Sequence, residues 1–339
     1  MEVKDTEDYK GVWILGEVRD GEVHAVSYEL LAWGRDLADK LGVKLTAVIL
    51  GKGIREKVQG LIHSGADRVL AVDHPALESF SVDPYAAILT ALIQEEKPEI
   101  LIASATTMGR TLMPVLAVKV AAGLTADCTE LDIDPAERLL IQTRPAVGGN
   151  IMATIKTPEF RPQMATVRPK SKRPLSPDLS RKGDILVKEF TEEYFQSRVK
   201  RLGFIREESV GAPIQDAETI VAFGKGLKDG KNLAMINELA SLLNGSVGAS
   251  RTAIDAGWIS YSHQVGLSGK TVSPRLYMAC GISGAVQHLA GMSSAETIVA
   301  INADPEAAIF SVADYGVAGD LFEILPILID KLKNAQKGA

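Results

Sequence analysis

Two cysteines in 339 residues are too few to ligate an iron–sulfur cluster or a cysteine-based zinc site. Cys128 and Cys280 lie far apart in apolar surroundings, so they read as buried free thiols. Histidine is scarce too, and His24, His63, His74, His263 and His288 are scattered without metal-ligand spacing. The longest apolar run, LMPVLAVKVAAGL, is interrupted by Lys119 and is shorter than a bilayer span. The start, MEVKDTEDYK, is acidic and carries neither a hydrophobic signal core nor an arginine-rich transit pattern. A cytoplasmic protein without membrane insertion is expected. Nor is there an excess of base. The balance of 37 Lys and Arg against 43 Asp and Glu gives a net charge of -6, which counts against nucleic acid as a partner. No repeat of fixed period and no low-complexity tract appears.

What is present is a chain long enough for two domains, each with its own core. In the first half, strand-like runs GVWILGEV (11–18), KLTAVIL (44–50), RVLAVD (68–73) and EILIASAT (99–106) alternate with amphipathic stretches. These carry Leu30, Leu37, Ala38 and Leu41, then Val58, Leu61 and Ile62, then Ile88, Leu89, Leu92 and Ile93, at helical spacing. A βαβα order with apolar strands predicts a parallel sheet covered on both faces. After residue 125 the runs LLIQTRP, NIMATIK and MATVRP are β-like. RPKSKRPLSPDLSRKGD (168–184) is the best linker candidate, a solvated connection or a basic arm. DILVKEF then returns as a further strand of the first domain. The expected layout is an α/β domain over 1–195, a linker over 196–212 and a second α/β domain over 213–339, each built on a mainly parallel sheet with helices on both faces.

Site-type residues concentrate in 248–321, where the short apolar runs LYMAC and TIVAIN alternate with Gly, Ser, Asn, Asp and His. Upstream, strand TIVAF leads into Gly224, Lys225, Gly226 and Gly230 before a helix with Leu233, Ile236, Leu239 and Leu243 on one face. This G-x-G-x-x-x-G turn is one residue longer than the dinucleotide fingerprint. It reads equally as an amide cradle for phosphate or as an ordinary tight turn. GLSGKT (266–271) resembles the end of a P-loop, but Gln264 stands where glycine is required and a strand follows instead of a helix. In Cys280-Gly281-Ile282-Ser283-Gly284-Ala285, Ser283 has N-cap chemistry, while Ala285 breaks the nucleophile-elbow pattern. His288, one turn further, is either a satisfied structural histidine or a ligand contact. Ser250 and Arg251 follow a strand end, Asn302 ends TIVAIN and Asp320 precedes the helix LFEILPILIDKL. Singly these suit caps and turns; together they mark strand carboxyl ends, where open α/β sheets bind ligands.

The order S-R…Q-V-G-x-S-G-K…G-I-S-G-A-V-Q-H-L-A-G-M…I-N-x-D-P-E-A-x-I-F…A-D-Y-G…D-L-F over 219–330 resembles the alpha subunit of electron-transfer flavoproteins. TRPAVGGN (143–150) and RPQMATVRP (161–169) extend the resemblance into the first half. It implies that the second domain binds one FAD and that the first pairs with a homologous beta subunit. It further implies that Ser283, Gly284, Ala285, Val286, Gln287 and His288 form the FAD segment, with His288 near the pyrimidine carbonyl. Val265, Gly266, Leu267 and Ser268 would form the loop over the isoalloxazine, with the Ser268 hydroxyl at N5. Arg251 would lie over the ring, with Lys225, Ser250, Gln264, Asn302, Asp320 and Leu321 as further contacts. Arg251, Ser268 and His288 are the tuning residues. Three positions depart from the usual pattern: Lys225 replaces Arg, Leu267 replaces Gln and Ser268 replaces Thr. Lys225 keeps the charge but not the planar fork.

The implied activity is single-electron shuttling between a flavin dehydrogenase, such as an acyl-CoA dehydrogenase, and a downstream acceptor. A fixed arginine beside the ring favours its anionic form without proton transfer. Alternatives are the same subunit in a bifurcating NADH- and ferredoxin-linked complex, an NAD-dependent oxidoreductase, and a non-catalytic adenine-nucleotide sensor.

Overall fold

The computed structural model describes residues 8–146, 151–199, 201–203 and 213–337. The last four residues of TRPAVGGN, and most of 196–212, lie outside the described residues. The chain forms two compact units, 1–203 and 204–339.

In the first unit, seven strands pair in parallel in the spatial order 184–187, Arg68–Asp73, Leu45–Gly51, Val12–Leu15, Ile100–Ser104, Gln163–Val167, Leu124–Cys128. The central strand Val12–Leu15 is apolar at every position because both faces are buried. Val12 and Ile14 pack into one core, Trp13 and Leu15 into the other. Helix Ala25–Leu41 and the short helix Gln59–His63 cover the first face. Helices Val82–Glu96 and Thr107–Val120 cover the second. Ala25–Leu41 stops at Gly42, whose φ of 65° lets its N–H reach back to the Ala38 and Asp39 carbonyls. An antiparallel sheet of Glu130–Asp134, Leu139–Pro145 and Met152–Ile155 adds Leu131, Ile133 and Leu140 to the first core.

Residues 168–184 are not an interdomain linker. They form a strap across the first unit from the Gln163–Val167 strand to the edge strand Asp184–Val187. The Asp67 carboxylate holds this strap, accepting from Arg181 at 2.6 Å while it also accepts from Arg35 at 2.7 Å and from the Leu45 amide at 2.8 Å. Lys172 pairs with Asp36, and the Trp33 indole donates to Ser171 Oγ at 3.2 Å. Arg168, Lys172 and Arg181 pair with Asp127, Asp36 and Asp67 of the sheet unit, while most of the strap stays exposed. The edge strand does continue the sheet, as expected of DILVKEF.

The second unit is a five-stranded parallel sheet in the order Ser246–Ala249, Thr219–Phe223, Leu276–Cys280, Thr297–Asn302, Tyr315–Ala318. Helices Leu233–Leu242 and Leu321–Lys337 pack on one face through Ile236, Leu239, Leu325 and Ile329. The opposite face is covered by single helical turns and loops that bring Val265, Ile282, Met292 and Ile309 onto Ile220, Tyr277 and Ala300. No helix among the described residues is long and apolar enough to cross a membrane.

Candidate functional site

In both parallel sheets the strand order reverses beside the first strand, which opens a crevice at the carboxyl ends of the two strands that flank the reversal. In the first unit the crevice lies beyond Val12–Leu15 and Ile100–Ser104, and the protein fills it. Glu17, 3% exposed, accepts a hydrogen bond from the buried Thr106 hydroxyl, and its amide donates to Ser27 Oγ at 2.9 Å. The second unit is different. Its reversal between Thr219–Phe223 and Leu276–Cys280 opens into a cleft of about 870 Å³, within the range of small-molecule sites.

The floor of the cleft is glycine meeting glycine. Gly224 N–H donates to the Cys280 carbonyl and Gly226 N–H to the Gly281 carbonyl, both at 3.0 Å. A Cβ on Gly226 would stand 2.6 Å from Gly281 Cα, so only glycine lets these loops close. Of the two readings of the G-x-G-x-x-x-G turn, the structure favours the ordinary tight turn. The N–H groups of Gly226, Leu227, Lys228 and Asp229 are spent inside the loops, and the helix starts only at Leu233. That loop contributes the Lys225 side chain to the cleft instead.

Free amides occur on the facing loop. Among the described residues, no backbone carbonyl accepts from the N–H groups of Ile282 to Gln287, which lead into the helical turn Val286–Leu289. Ser283 does not cap this turn; the N-cap position is Ala285. The reason is Gly284, at φ 85° against the Ile309 backbone, which puts a left-handed kink between Ser283 and the turn. Asn302 holds the loop open, donating from Nδ2 to the Ile282 carbonyl at 2.8 Å while Oδ1 accepts from Asp304 N–H at 3.0 Å.

Of the residues expected at the ligand, Lys225, Ser250, Arg251, Gln264, Val265, Gly266, Leu267, Ser268, Ser283, Ala285, Gln287, His288 and Asn302 line the cleft. Gly284, Val286, Asp320 and Leu321 do not. Leu321 packs in the core, and Asp320 caps the last helix by accepting from Phe322 N–H at 2.8 Å. Thr252 and Asp255 line the cleft without having been expected there; both sit on the short helix Arg251–Asp255, one and four residues beyond Arg251. The Arg251 guanidinium is largely exposed and lies 3.4 Å from the Asp255 carboxylate. Gln264 is buried and donates from Nε2 to Ser268 Oγ at 3.0 Å. Leu267 donates its N–H to the Gln287 carbonyl at 2.7 Å, which joins the two lips, and its side chain is exposed.

His288 is 6% exposed, and burial pulls its pKa down to about 4, with the Val265 backbone opposing weakly. It is therefore neutral near pH 7. Nε2 lies 2.9 Å from the Tyr277 hydroxyl, while Nδ1 is buried and makes no hydrogen bond of ordinary geometry. Cys280, beside the floor, is fully buried with its thiol pushed up to about 12, so it is inert as a nucleophile. Cys128 is buried likewise. No cluster of His, Cys, Asp and Glu among the described residues could hold a metal ion.

Open amides, two cations and a buried neutral imidazole around a switch-point cleft point to a dinucleotide-binding α/β protein. Family comparison makes this specific. Residues 12–193 match the electron transfer flavoprotein domain, and residues 213–293 match the electron transfer flavoprotein FAD-binding domain. The chain is 48% identical to the electron transfer flavoprotein subunit alpha of Thermoanaerobacterium thermosaccharolyticum over 96% of its own length and 98% of the relative's. It is 47% identical to that of Clostridium acetobutylicum, over 97% and 98%. It is 40% identical to the lactate dehydrogenase (NAD(+),ferredoxin) subunit LctC of Acetobacterium woodii, over 97% of this chain and 78% of the relative. The chain belongs to the electron transfer flavoprotein alpha-subunit family, and its second unit binds FAD. The donor set fits that group: amides for a diphosphate, and a buried neutral imidazole at the cleft for a ring oxygen.

Proposed function

We propose that this chain is the FAD-carrying alpha subunit of a heterodimeric electron carrier. Its first unit pairs with a homologous beta subunit, and its flavin relays single electrons from a flavin dehydrogenase of the acyl-CoA dehydrogenase kind to a downstream acceptor. Bound FAD supplies the redox chemistry; the chain binds, orients and biases it. The observation that carries the reading is the loop from Ile282 to His288, where the open amides of Ile282, Ser283, Ala285 and Gln287 at the cleft lead to a neutral, half-bonded imidazole. The amides suit a diphosphate, and Lys225 adds charge beside them. Ser268 Oγ accepts from Gln264, which leaves its own O–H to donate to a ring nitrogen. Arg251 places a positive charge at the rim.

A second reading, membership of a bifurcating assembly, is favoured by the 40% identity to a subunit named for NAD(+) and ferredoxin. Co-expression with the beta subunit tests the main reading. A yellow heterodimer with flavin in this chain is expected; a colourless one that refuses FAD defeats it. Reduction of the heterodimer by an acyl-CoA dehydrogenase and its substrate supports the simple carrier, and reduction by NADH with ferredoxin present supports bifurcation.

A further inference from the structure

Tyr277 has no role in the reading so far. Its strand, Leu276–Cys280, runs beneath the cleft, and its side chain is fully buried. Burial holds the phenol well above its usual range, so the hydroxyl keeps its proton. Its hydrogen-bond partner is His288 Nε2, at 2.9 Å. Two arrangements are possible. If Nε2–H donated to the phenol oxygen, the Tyr277 proton would be left in the core without an acceptor among the described residues. If the phenol donates to Nε2, the hydroxyl proton is placed, and the imidazole proton sits on Nδ1, where the Val265 backbone favours it. Burial decides between them, because an orphaned hydroxyl in the core is costly.

We propose that Tyr277 is a positioning residue that locks His288 as the Nδ1–H tautomer, which makes Nδ1 of this cleft-lining residue a neutral donor for an acceptor oxygen on the ligand. The inference rests on the FAD reading only for the identity of that oxygen, a carbonyl of the flavin ring. Without Tyr277 the ring is free to carry its proton on Nε2, and Nδ1 would then present a lone pair to the carbonyl and repel it.

The test uses the full chain with its beta subunit and nitrogen-15 histidine. The expected spectrum of the wild-type protein shows a pyrrole-like Nδ1 and a pyridine-like Nε2 at His288. Tyr277→Phe, which keeps the ring packing, should move the pattern toward Nε2–H and weaken FAD retention about fivefold. A pyrrole-like Nε2 in the wild-type protein overturns the proposal. So does a Tyr277→Phe heterodimer whose His288 pattern is unchanged. The wild-type spectrum alone decides if the variant does not fold. It is also readable in protein that refuses FAD, so failure of the flavin reading stays separate from failure of this one.

Discussion

The Gln264 amide donates to the Ser268 hydroxyl across 3.0 Å, joining the buried root of the rim loop to its exposed tip. With the Ser268 oxygen already accepting, its proton is directed outward into the cleft. Ser268→Ala removes that donor and strands the buried Gln264 amide. Loss of one neutral hydrogen bond of about 1 kcal/mol corresponds to roughly 40 mV in a one-electron potential. Spectroelectrochemical titration of the Ser268→Ala heterodimer should show a shift of that order, and Ser268→Thr should restore the potential. An unchanged potential in Ser268→Ala removes Ser268 from the flavin.

How much of this was legible in sequence depends on whether a signal was local. Arg68–Asp73, Leu276–Cys280 and Thr297–Asn302 coincide with their apolar runs, because a buried parallel strand needs side chains for two cores at once. Thirteen residues grouped by family resemblance do meet in the cleft. What escaped was set by tertiary contact. Ser283 has the chemistry of a cap, but the Ile309 backbone packs on Gly284 and bends the chain before the turn begins. The strap 168–184 is mostly exposed, as its composition suggests, but its sequence does not show that Asp67 and Asp36 lie under its cations. The pairing of Tyr277 with His288 crosses from a strand to a later helical turn, where no periodicity marks it.

Arg251 and Asp255 share the rim at 3.4 Å and should act in opposite directions on the flavin. Arg251→Ala removes a positive charge, so the anionic red species that accumulates during stepwise reduction should fall and the first potential should drop. Asp255→Asn removes the competing negative charge, so the first potential should rise. Both shifts should shrink at high salt, since the pair is exposed. Equal signs for the two variants would show that neither charge is felt at the ring.

Asp67 is the test of the strap. Asp67→Asn keeps the side-chain shape but weakens the bonds to Arg35 and Arg181. A cost of roughly 1–3 kcal/mol to the first unit is expected, as for hydrogen bonds to charged groups. Limited proteolysis should then cut within 170–183, ahead of the rest of the unit. If the strap stays resistant in the variant, its hold comes from the sheet pairing of Asp184–Val187 instead.

His288 predicts an acid limit for the second unit, with a definite sign. Burial lowers its folded pKa from 6.5 to about 4. Above the unfolded value both states are neutral and the group has no effect on the slope. Between the two values the unfolded chain takes a proton that the folded one refuses, so stability falls as pH falls. The loss builds up to about 3 kcal/mol and ends below the folded pKa, where both states are charged. Native-state hydrogen exchange of the Leu276–Cys280 amides, followed from neutral pH down to about pH 4, reads this directly once intrinsic exchange rates are divided out. His288→Gln should remove most of the decline. If the decline persists in that variant, the acid sensitivity belongs to another group, and His288 is protonated in the folded protein more easily than its burial implies.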